Sequence, residues 1–389
     1  MVAPTSLLVL QPTPFCNLDC TYCYLPGRDS AARMSDETLE RVAEVVFARG
    51  RLAPQITVVW HAGEPCVLPS DWYRRAFATL EARRPASVEV VHSFQTNATL
   101  LDAGWLDLFA RSDVRVGVSL DGPQSLHDLH RRTRRGEGSF ARVMRGVGQL
   151  RAAGIPFHVI AVLSLASLED PEGLARFFID EGLDQICLNV EEIDGINRES
   201  SLTEGVVETR FANFIKRFFR EIETADPQPW VRELDFCRQA VCSPPTVGNP
   251  GNHQVDPLAI LSVDVEGRVS TFSPELLGLP NREFANFLFG SLDRLRSPKD
   301  LLRNPTYERA ATAIEAGRRA CRQSCEYFRF CGGGAPANKL GEAGRLDAAE
   351  TLFCRLTVKT LLTSYLAYRE ERYPDVSSLA RNQGRVLTR

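Results

Sequence analysis

The sequence predicts an α/β fold built on a parallel β-sheet. Over the first 190 residues, six short runs rich in Val, Ile and Leu alternate with five amphipathic stretches of helical length. Such alternation indicates βαβ units, because parallel strands need long crossover connections. Six strands are too few for a complete eight-stranded barrel, so the pattern favours either an open doubly wound sheet or a partial barrel.

The predicted elements follow one another at regular intervals. Strands are predicted over 7–10, 56–60, 88–91, 114–120, 158–163 and 185–190. Helices are predicted over 36–48, 71–82, 103–110, 140–153 and 174–181. Ser35 stands where a helix N-cap is expected, and Gly154 follows the fourth of these helices as a C′ glycine does.

The alternation ends after the sixth strand. Residues 191–255 are predicted to be irregular chain around one long helix, at about 206–224. Two apolar runs within 258–272 flank Glu266-Gly267, which predicts a β-hairpin. A final amphipathic helix is predicted at about 351–370.

Composition and charge exclude several functional classes. The chain has 389 residues, with 46 Lys and Arg against 49 Asp and Glu, and a formal net charge of −3. This near neutrality gives no electrostatic signal of nucleic-acid or anionic-membrane binding. No apolar stretch reaches the length of a membrane span, and the N-terminus lacks the basic region and apolar core of a secretory signal. We therefore expect a cytoplasmic protein without nucleic-acid or membrane partners.

A cysteine motif follows the first predicted strand. Because cytosolic thiols stay reduced, cysteine clusters there indicate metal binding more often than disulfides. Cys16, Cys20 and Cys23 form a C-x3-C-x2-C pattern, and α/β barrels place their chemistry at such strand ends. Three thiolates suit an iron–sulfur cluster with one open iron, whereas a closed zinc site needs a fourth ligand that is not nearby in the sequence. A zinc loop or three buried structural cysteines are the alternatives.

This motif resembles that of the radical S-adenosylmethionine (SAM) superfamily, in which an aromatic residue precedes the last cysteine, as Tyr22 does here. The resemblance implies a partial (β/α)6 TIM-like barrel and a 4Fe–4S cluster whose open iron binds SAM. It also implies that an electron from the cluster cleaves SAM to a 5′-deoxyadenosyl radical, which abstracts a hydrogen atom from the substrate.

Further family positions follow the next strands. The segment His61-Ala62-Gly63-Glu64-Pro65 resembles the G-G-E-P element of the family, with alanine in place of the first glycine. The resemblance implies that Gly63 allows close backbone approach and that Glu64 takes the SAM ammonium. It implies that the SAM-binding residues are Tyr22, Ala62, Gly63, Glu64, Asn97, Ser119 and Arg131, with Arg131 on the SAM carboxylate. Without the resemblance, these are equally turn and surface residues.

A second set of four cysteines lies near the C-terminus: Cys321, Cys325, Cys331 and Cys354. Four thiolates suit either a fully ligated iron–sulfur cluster or a structural zinc ion. The segment resembles the SPASM extension of peptide-modifying radical SAM enzymes, which usually carries seven cysteines for two auxiliary clusters. Phe272 and Ala335 stand where ligands of the inner cluster are expected, so we predict one auxiliary 4Fe–4S cluster.

Together these resemblances imply three regions: a radical SAM partial barrel over 1–190, a bridging region with one long helix over 191–255, and a SPASM-like domain over 256–389. The last region is expected to contain the β-hairpin and the auxiliary cluster. Cys237 and Cys242 are too few to hold a further cluster without other ligands.

Finer motifs resemble those of the glycine-rich-repeat (GrrM/OscB-type) peptide maturases. They are the residues flanking the first cysteine motif, the segment 270–278 and the segment 331–339. The resemblance implies an enzyme that removes a side-chain hydrogen from a ribosomally made precursor peptide and joins that carbon to an aromatic ring, forming a cyclophane. It also implies a flavodoxin- or ferredoxin-type electron donor.

Loss of the ring proton in that reaction requires a base. Glu192 and Asp194 follow the sixth strand, at the catalytic end of a barrel, and are the candidate catalytic residues. The alternative is that both are solvated loop residues.

Three other functions stay open: a radical SAM peptide epimerase, another peptide or protein maturase, and a non-catalytic iron–sulfur protein. The sulfatase-maturase branch expects an aspartate where Ser273 stands. Epimerisation leaves the peptide mass unchanged, so the product mass separates an epimerase from a crosslinking enzyme.

Overall fold

The computed structural model describes residues 2–203, 206–242 and 251–372. Residues 204–205 and 243–250 of the predicted bridging region, and residues 373–389 of the predicted SPASM-like domain, lie outside this description.

A ten-stranded sheet forms the centre of the described chain. Its first six strands are β1 (Thr5–Leu10), β2 (Leu52–Trp60), β3 (Glu89–Thr96), β4 (Val114–Ser119), β5 (Phe157–Leu163) and β6 (Gln185–Val190). Neighbouring strands pair in parallel and in sequence order. The predicted strands and the predicted partial-barrel fold are therefore confirmed, and all six carboxyl ends meet at one end of the barrel.

The sheet continues beyond these six strands at both edges. β7 (Trp230–Val231) pairs with β6, and β8 (Ile260–Val263) pairs in parallel with β1. β8 and β9 (Arg268–Thr271) form the predicted hairpin, which β10 (Gly290–Ser291) extends. The hairpin thus belongs to the same sheet as the barrel, which brings the C-terminal half of the chain beside β1.

Helices connect and cover the strands. Those of the first part are α1 (Asp36–Val42), α2 (Ser70–Glu81), α3 (Ala103–Phe109), α4 (Gln124–His130), α5 (Phe140–Ala152), α6 (Pro171–Asp180), α7 (Val207–Thr224) and α8 (Arg232–Cys242). Ser35 caps α1 by accepting a hydrogen bond from the Thr38 amide at 3.1 Å, as predicted. The prediction of irregular chain on both sides of one long helix is wrong at α8. This helix buries only Leu234 and Cys237, too few apolar residues for a visible period.

The C-terminal half contains five further α-helices among the described residues. They are α9 (Pro305–Ser324), α10 (Phe328–Cys331), α11 (Pro336–Ala343), α12 (Leu352–Cys354) and α13 (Leu361–Arg372), with a π-helical stretch at Arg355–Thr360. The predicted final helix is thus divided into three consecutive pieces. No helix in the described ranges has both the length and the apolar composition that crossing a bilayer requires.

Aromatic side chains make up much of the core beneath the strand ends. Trp60, at the end of β2, is fully buried and packs edge-on against Tyr73 of α2, with ring centroids 5.3 Å apart. On the other side of the barrel, Phe214 and Phe218 of α7 are fully buried and stack at 5.3 Å. Each such ring stabilises the fold by about 1.5–3 kcal/mol through burial. The strand ends are therefore supported by a closely packed aromatic core.

Candidate active site

The loop that carries the first cysteine motif lies directly after β1 and is held by the end of α4 and the segment that follows it. The Thr21 amide donates to the His130 carbonyl at 3.0 Å. Arg134 Nε donates to the Cys16 carbonyl at 2.7 Å, and the guanidinium lies 4.9 Å from the centre of the Phe15 ring. These contacts fix the backbone of the cysteine loop against the barrel.

The three thiols of this loop lie near one another. Burial is the main cause that raises the pKa of Cys16 to about 12, and negative charge on Glu64, Cys20 and Cys23 contributes to the rise. Burial also raises the pKa of Cys20 to about 11, where Arg131 opposes the shift and Cys23 adds to it. The structure therefore brings Cys16, Cys20 and Cys23 together, next to Arg131.

The end of β2 touches the cysteine loop through backbone atoms. Gly63 has φ +60°, and a Cβ there would lie 2.2 Å from the Phe15 carbonyl oxygen and 2.6 Å from that of Pro14. The Glu64 amide donates to the same Phe15 carbonyl at 2.9 Å. Ala62, buried with φ 80°, precedes this contact. The close approach anticipated for Gly63 is thus made to the cysteine loop, and no side chain fits there.

Glu64 is buried and joins the ends of β2 and β3. One carboxylate oxygen accepts from the Cys66 amide at 3.0 Å and from the Thr96 hydroxyl at 2.5 Å. The other accepts from the Asn97 amide at 2.7 Å. Burial raises the pKa of this carboxyl, and the three hydrogen bonds oppose that rise. Glu64 therefore has a structural role that the sequence analysis did not include.

Asn97 and Ser119 lie at the ends of neighbouring strands. The side-chain amide of Asn97 donates to the side-chain oxygen of Asn17 at 2.9 Å. Asn17 directly follows Cys16, the first cysteine of the motif. Ser119, one strand farther along the sheet, accepts from Gln95 at 2.9 Å. Asn97 thus contacts the cysteine loop directly, whereas Ser119 contacts Gln95 of the neighbouring strand.

Arg131 forms a buried ion pair with Asp121, a residue that the sequence analysis missed. The guanidinium lies 2.9 Å from one Asp121 oxygen, and the Tyr22 hydroxyl donates to the other. The Arg131 guanidinium also lies 5.5 Å from the centre of the Tyr22 ring. Its Nε is buried without a hydrogen-bond partner. Because buried donors are normally paired, this Nε beside Cys20 suits an anionic ligand.

Three carboxyl groups, Glu192, Asp194 and Glu275, form an acidic group after β6 and β9. Burial raises the pKa of Glu192 to about 8, and charges on Glu275 and Asp194 add to the shift. Burial likewise raises the pKa of Glu275 to about 7 and that of Asp194 to about 6. Carboxyls with such values exchange protons near neutral pH. Glu275 was missed by the sequence analysis, since only the pairing of β8 with β1 brings it here.

Tyr24 connects the acidic group to the cysteine loop. It follows Cys23, and its carbonyl accepts from the Ile196 amide at 3.0 Å. Burial raises the pKa of Tyr24 well above its usual value, and negative charge on Glu275, Cys23, Asp194 and Glu192 adds to the rise. The Tyr24 hydroxyl lies 2.7 Å from His61 Nε2. A narrow cavity here is lined by Val9, Gln11, Pro14, Tyr24, Leu25, Pro26, His61, Ala62, Gly63, Pro274, Glu275 and Leu277.

The four C-terminal cysteines also converge. They stand in or at the ends of α9, α10 and α12. Burial raises the pKa of Cys321, with negative charge on Cys331 and Cys325 adding to the rise and Lys339 opposing it. Burial raises the pKa of Cys354 too, and Cys331 adds to the shift. The thiols are therefore close enough to act on one another.

The positions expected for inner-cluster ligands carry side chains that cannot bind iron. Phe272 is fully buried and stacks on Tyr307 at 5.7 Å, and Ala335 precedes α11. Cys237 is fully buried in α8, and Cys242 is exposed at the end of the same helix. Neither of these two cysteines joins the C-terminal set.

Among the described residues, no three His, Cys, Asp or Glu groups stand close enough to hold one metal ion. The chemistry of the two donor sets fits iron–sulfur clusters, because three thiolates leave one iron of a 4Fe–4S cluster open and four thiolates ligate such a cluster fully.

Comparison with known proteins identifies relatives of the chain. The model of the radical SAM superfamily matches residues 10–178. An uncharacterized protein of Synechocystis is 37% identical over 95% of this chain and 93% of its own length. A serine-type anaerobic sulfatase-maturating enzyme of Bacteroides thetaiotaomicron is 31% identical, over 59% of this chain and 58% of that enzyme.

Two solved structures share the fold. The structure of anSMEcpe with bound AdoMet superposes with a TM-score of 0.71 and 19% identity, over 97% of this chain and all 100% of that one. SuiB of Streptococcus suis bound to its precursor peptide SuiA superposes with a TM-score of 0.61 and 15% identity, over 91% of this chain and 77% of SuiB. At these identities the likeness concerns the fold.

Proposed function

This chain belongs to the radical SAM superfamily, and on that premise we propose that it modifies a peptide by radical chemistry at the carboxyl ends of β1–β6. Its cofactors are S-adenosyl-L-methionine and the 4Fe–4S cluster that binds it, with Cys16, Cys20 and Cys23 as cluster ligands. When bound, these groups supply a 5′-deoxyadenosyl radical that removes a hydrogen atom from the substrate. The unpaired Nε of Arg131 suits the SAM carboxylate.

The comparisons support a peptide or protein as the substrate. One relative is named a sulfatase-maturating enzyme, and SuiB shares the fold and binds a precursor peptide. The narrow cavity beside Tyr24 and Glu275 opens between the barrel and the segment after the hairpin. A peptide bound across the strand ends beside this cavity lies next to both the cysteine loop and the acidic group.

Within this class, the reaction that we propose is cyclophane formation on a ribosomally made precursor peptide. The peptide loses two hydrogens: one as an atom from a side-chain carbon, the other as a ring proton together with one electron. The position of the acidic group carries this proposal, because Glu192, Asp194 and Glu275 stand beside Tyr24, which follows Cys23. Their raised pKa values allow these carboxyls to take the ring proton near neutral pH.

The electron needs an acceptor inside the protein. The four C-terminal cysteines, Cys321, Cys325, Cys331 and Cys354, hold one auxiliary 4Fe–4S cluster that is suited to this role. α11 lies between the two sites: Asn338 donates to Glu192 at 2.5 Å, and Lys339 contacts Cys321. A flavodoxin- or ferredoxin-type protein supplies the electron that starts each turnover.

Product mass and two substitutions test this proposal. With the precursor peptide, the wild-type product should be lighter by about two mass units for each crosslink, since two hydrogens leave. Glu192→Gln or Asp194→Asn should still release 5′-deoxyadenosine while crosslinked product falls, by about 10²–10⁴-fold for a general base. Glu199→Gln is the matched control, because Glu199 lies in the same loop and is exposed.

Two results contradict the proposal. If both acid variants crosslink at the wild-type rate, these acids are bystanders. If the wild-type product keeps its mass but takes up deuterium from heavy water at an α carbon, the enzyme is an epimerase.

A further inference from the structure

Lys339 is a buried lysine whose ammonium faces a cysteine of the C-terminal set. Its side chain is only 4% exposed, and Nζ donates to the Cys321 sulfur at 3.5 Å. Lysine is almost never fully buried unless its charge is paired. In the parts of the chain that the structure describes, Lys339 takes part in no ion pair with a carboxylate. The sulfur of Cys321 is therefore the group that its charge meets.

A glycine of α9 makes room for the end of this side chain. A Cβ at Gly317 would lie 3.0 Å from Lys339 Nζ and 2.5 Å from the Leu346 carbonyl oxygen. The Lys339 ammonium is thus packed closely against α9, the helix that carries Cys321.

Two backbone carbonyl oxygens also lie near the Cys321 sulfur. Those of Ala349 and Gly333 lie 2.6 and 3.6 Å from it. A thiol can donate to these oxygens, but a thiolate that binds iron faces their negative ends without a proton. The ammonium of Lys339 is then the positive group that offsets them.

We propose that Lys339 is a positioning residue that raises the reduction potential of the auxiliary cluster by holding a positive charge against the Cys321 thiolate. This inference rests on the auxiliary cluster of the proposed function. Reduction adds one negative charge to a cluster, so a fixed positive charge nearby favours the reduced form, and burial keeps solvent from screening it. The neighbouring Asn338 donates to Glu192, so α11 places the lysine on the cluster side of the catalytic acids.

Redox titration of the full-length protein with both clusters reconstituted tests this role. The triple Cys→Ala variant of the first cysteine motif shows which electron paramagnetic resonance signal belongs to the auxiliary cluster. Lys339→Met should lower the ratio of reduced to oxidised auxiliary cluster about tenfold at a given potential, a shift of about 59 mV for one electron. Lys339→Arg keeps the charge and should change the ratio less than about threefold. Lys216→Met is the matched control, since Lys216 lies in α7 and is paired with Glu371 at 2.6 Å.

The outcomes separate this inference from the proposed function. A wild-type protein that contains only one cluster refutes the auxiliary cluster itself. A Lys339→Met variant that holds two clusters with an unchanged ratio refutes the role of Lys339 and leaves the proposed function standing. If Lys339→Met binds no second cluster while Lys339→Arg does, the charge serves assembly, and the tuning role is equally refuted.

Discussion

Replacing Gly63 by alanine tests the contact between the end of β2 and the cysteine loop. Gly63 has φ +60°, a conformation that costs an alanine about 1–2 kcal/mol. The new Cβ would also lie 2.2 Å from the Phe15 carbonyl oxygen, which accepts the Glu64 amide. Moving that oxygen loses a hydrogen bond worth about 0.5–1.5 kcal/mol. We therefore expect Gly63→Ala to lower the free energy of unfolding by about 1.5–3.5 kcal/mol.

Gly154→Ala is the matched control for this substitution. Gly154 has φ +65°, but nothing lies within 4 Å of a Cβ built there. Gly154→Ala should therefore lower the free energy of unfolding only by the conformational term, about 1–2 kcal/mol. The difference between the two variants then measures the contact with the cysteine loop.

Iron content and SAM affinity measure the functional effect of the same pair. Because Cys16 follows Phe15, a displaced loop should lose its cluster, and iron per chain should fall from about eight to about four. Gly154→Ala should keep about eight. The free energy of unfolding comes from urea titration, and SAM binding from calorimetry. If Gly63→Ala matches Gly154→Ala in iron, SAM affinity and stability, the contact is unimportant and the reasoning fails.

Three other outcomes are expected. Burial raises the pKa of Glu192 from its usual 4.5 to about 8, so crosslinks per 5′-deoxyadenosine should rise with pH up to about 8 as the carboxylate forms. Between pH 4.5 and about 8 the folded protein keeps this proton while the unfolded chain loses it, so the free energy of unfolding should fall as pH rises through this range. Glu192→Gln should flatten both the crosslinking profile and the stability profile. Asp121→Asn leaves the Arg131 guanidinium buried without its carboxylate, so it should lower the free energy of unfolding in urea by about 3–5 kcal/mol and weaken SAM binding. Asp19→Asn, at the exposed pair of Asp19 with Arg28, should lower it by at most about 1 kcal/mol. The triple Cys→Ala variant of the first motif should keep about four irons and lose SAM cleavage under dithionite; 5′-deoxyadenosine production by this variant contradicts the ligand assignment.

Much of the fold could be predicted from local pattern. Strand and helix periods depend on residues two to four positions apart, so the six barrel strands and the long helix α7 were visible in the sequence. The sequence analysis did not predict α4, α8, α9, α10, α11, β7 or β10. Of these, α4 buries only His127 and α8 only Leu234 and Cys237, so neither helix shows an apolar period.

The candidate ligands were equally visible in the sequence. Cluster chemistry needs several thiols near one another; the first cysteine set is local in the chain, whereas 22 residues separate Cys331 from Cys354 in the second. The residues that follow strands β2, β3 and β4 could also be predicted to meet, because parallel strands place their carboxyl ends at one edge. These residues stay predicted SAM contacts, and the structure shows how Gly63, Glu64 and Asn97 hold the cysteine loop in place.

By itself, then, the sequence determined the barrel strands, the two cysteine sets and the strand-end positions, because each follows from spacing over a few residues. Only the tertiary structure decided the partners of those groups. Asp121 meets Arg131 through a turn after β4, Glu275 reaches Glu192 through the pairing of β8 with β1, and Lys339 reaches Cys321 through α11. The pairing of β8 with β1 itself joins residues some 250 positions apart, such as Leu7 and Ile260. No local period records such a contact, since it arises only when the sheet closes and the helices pack.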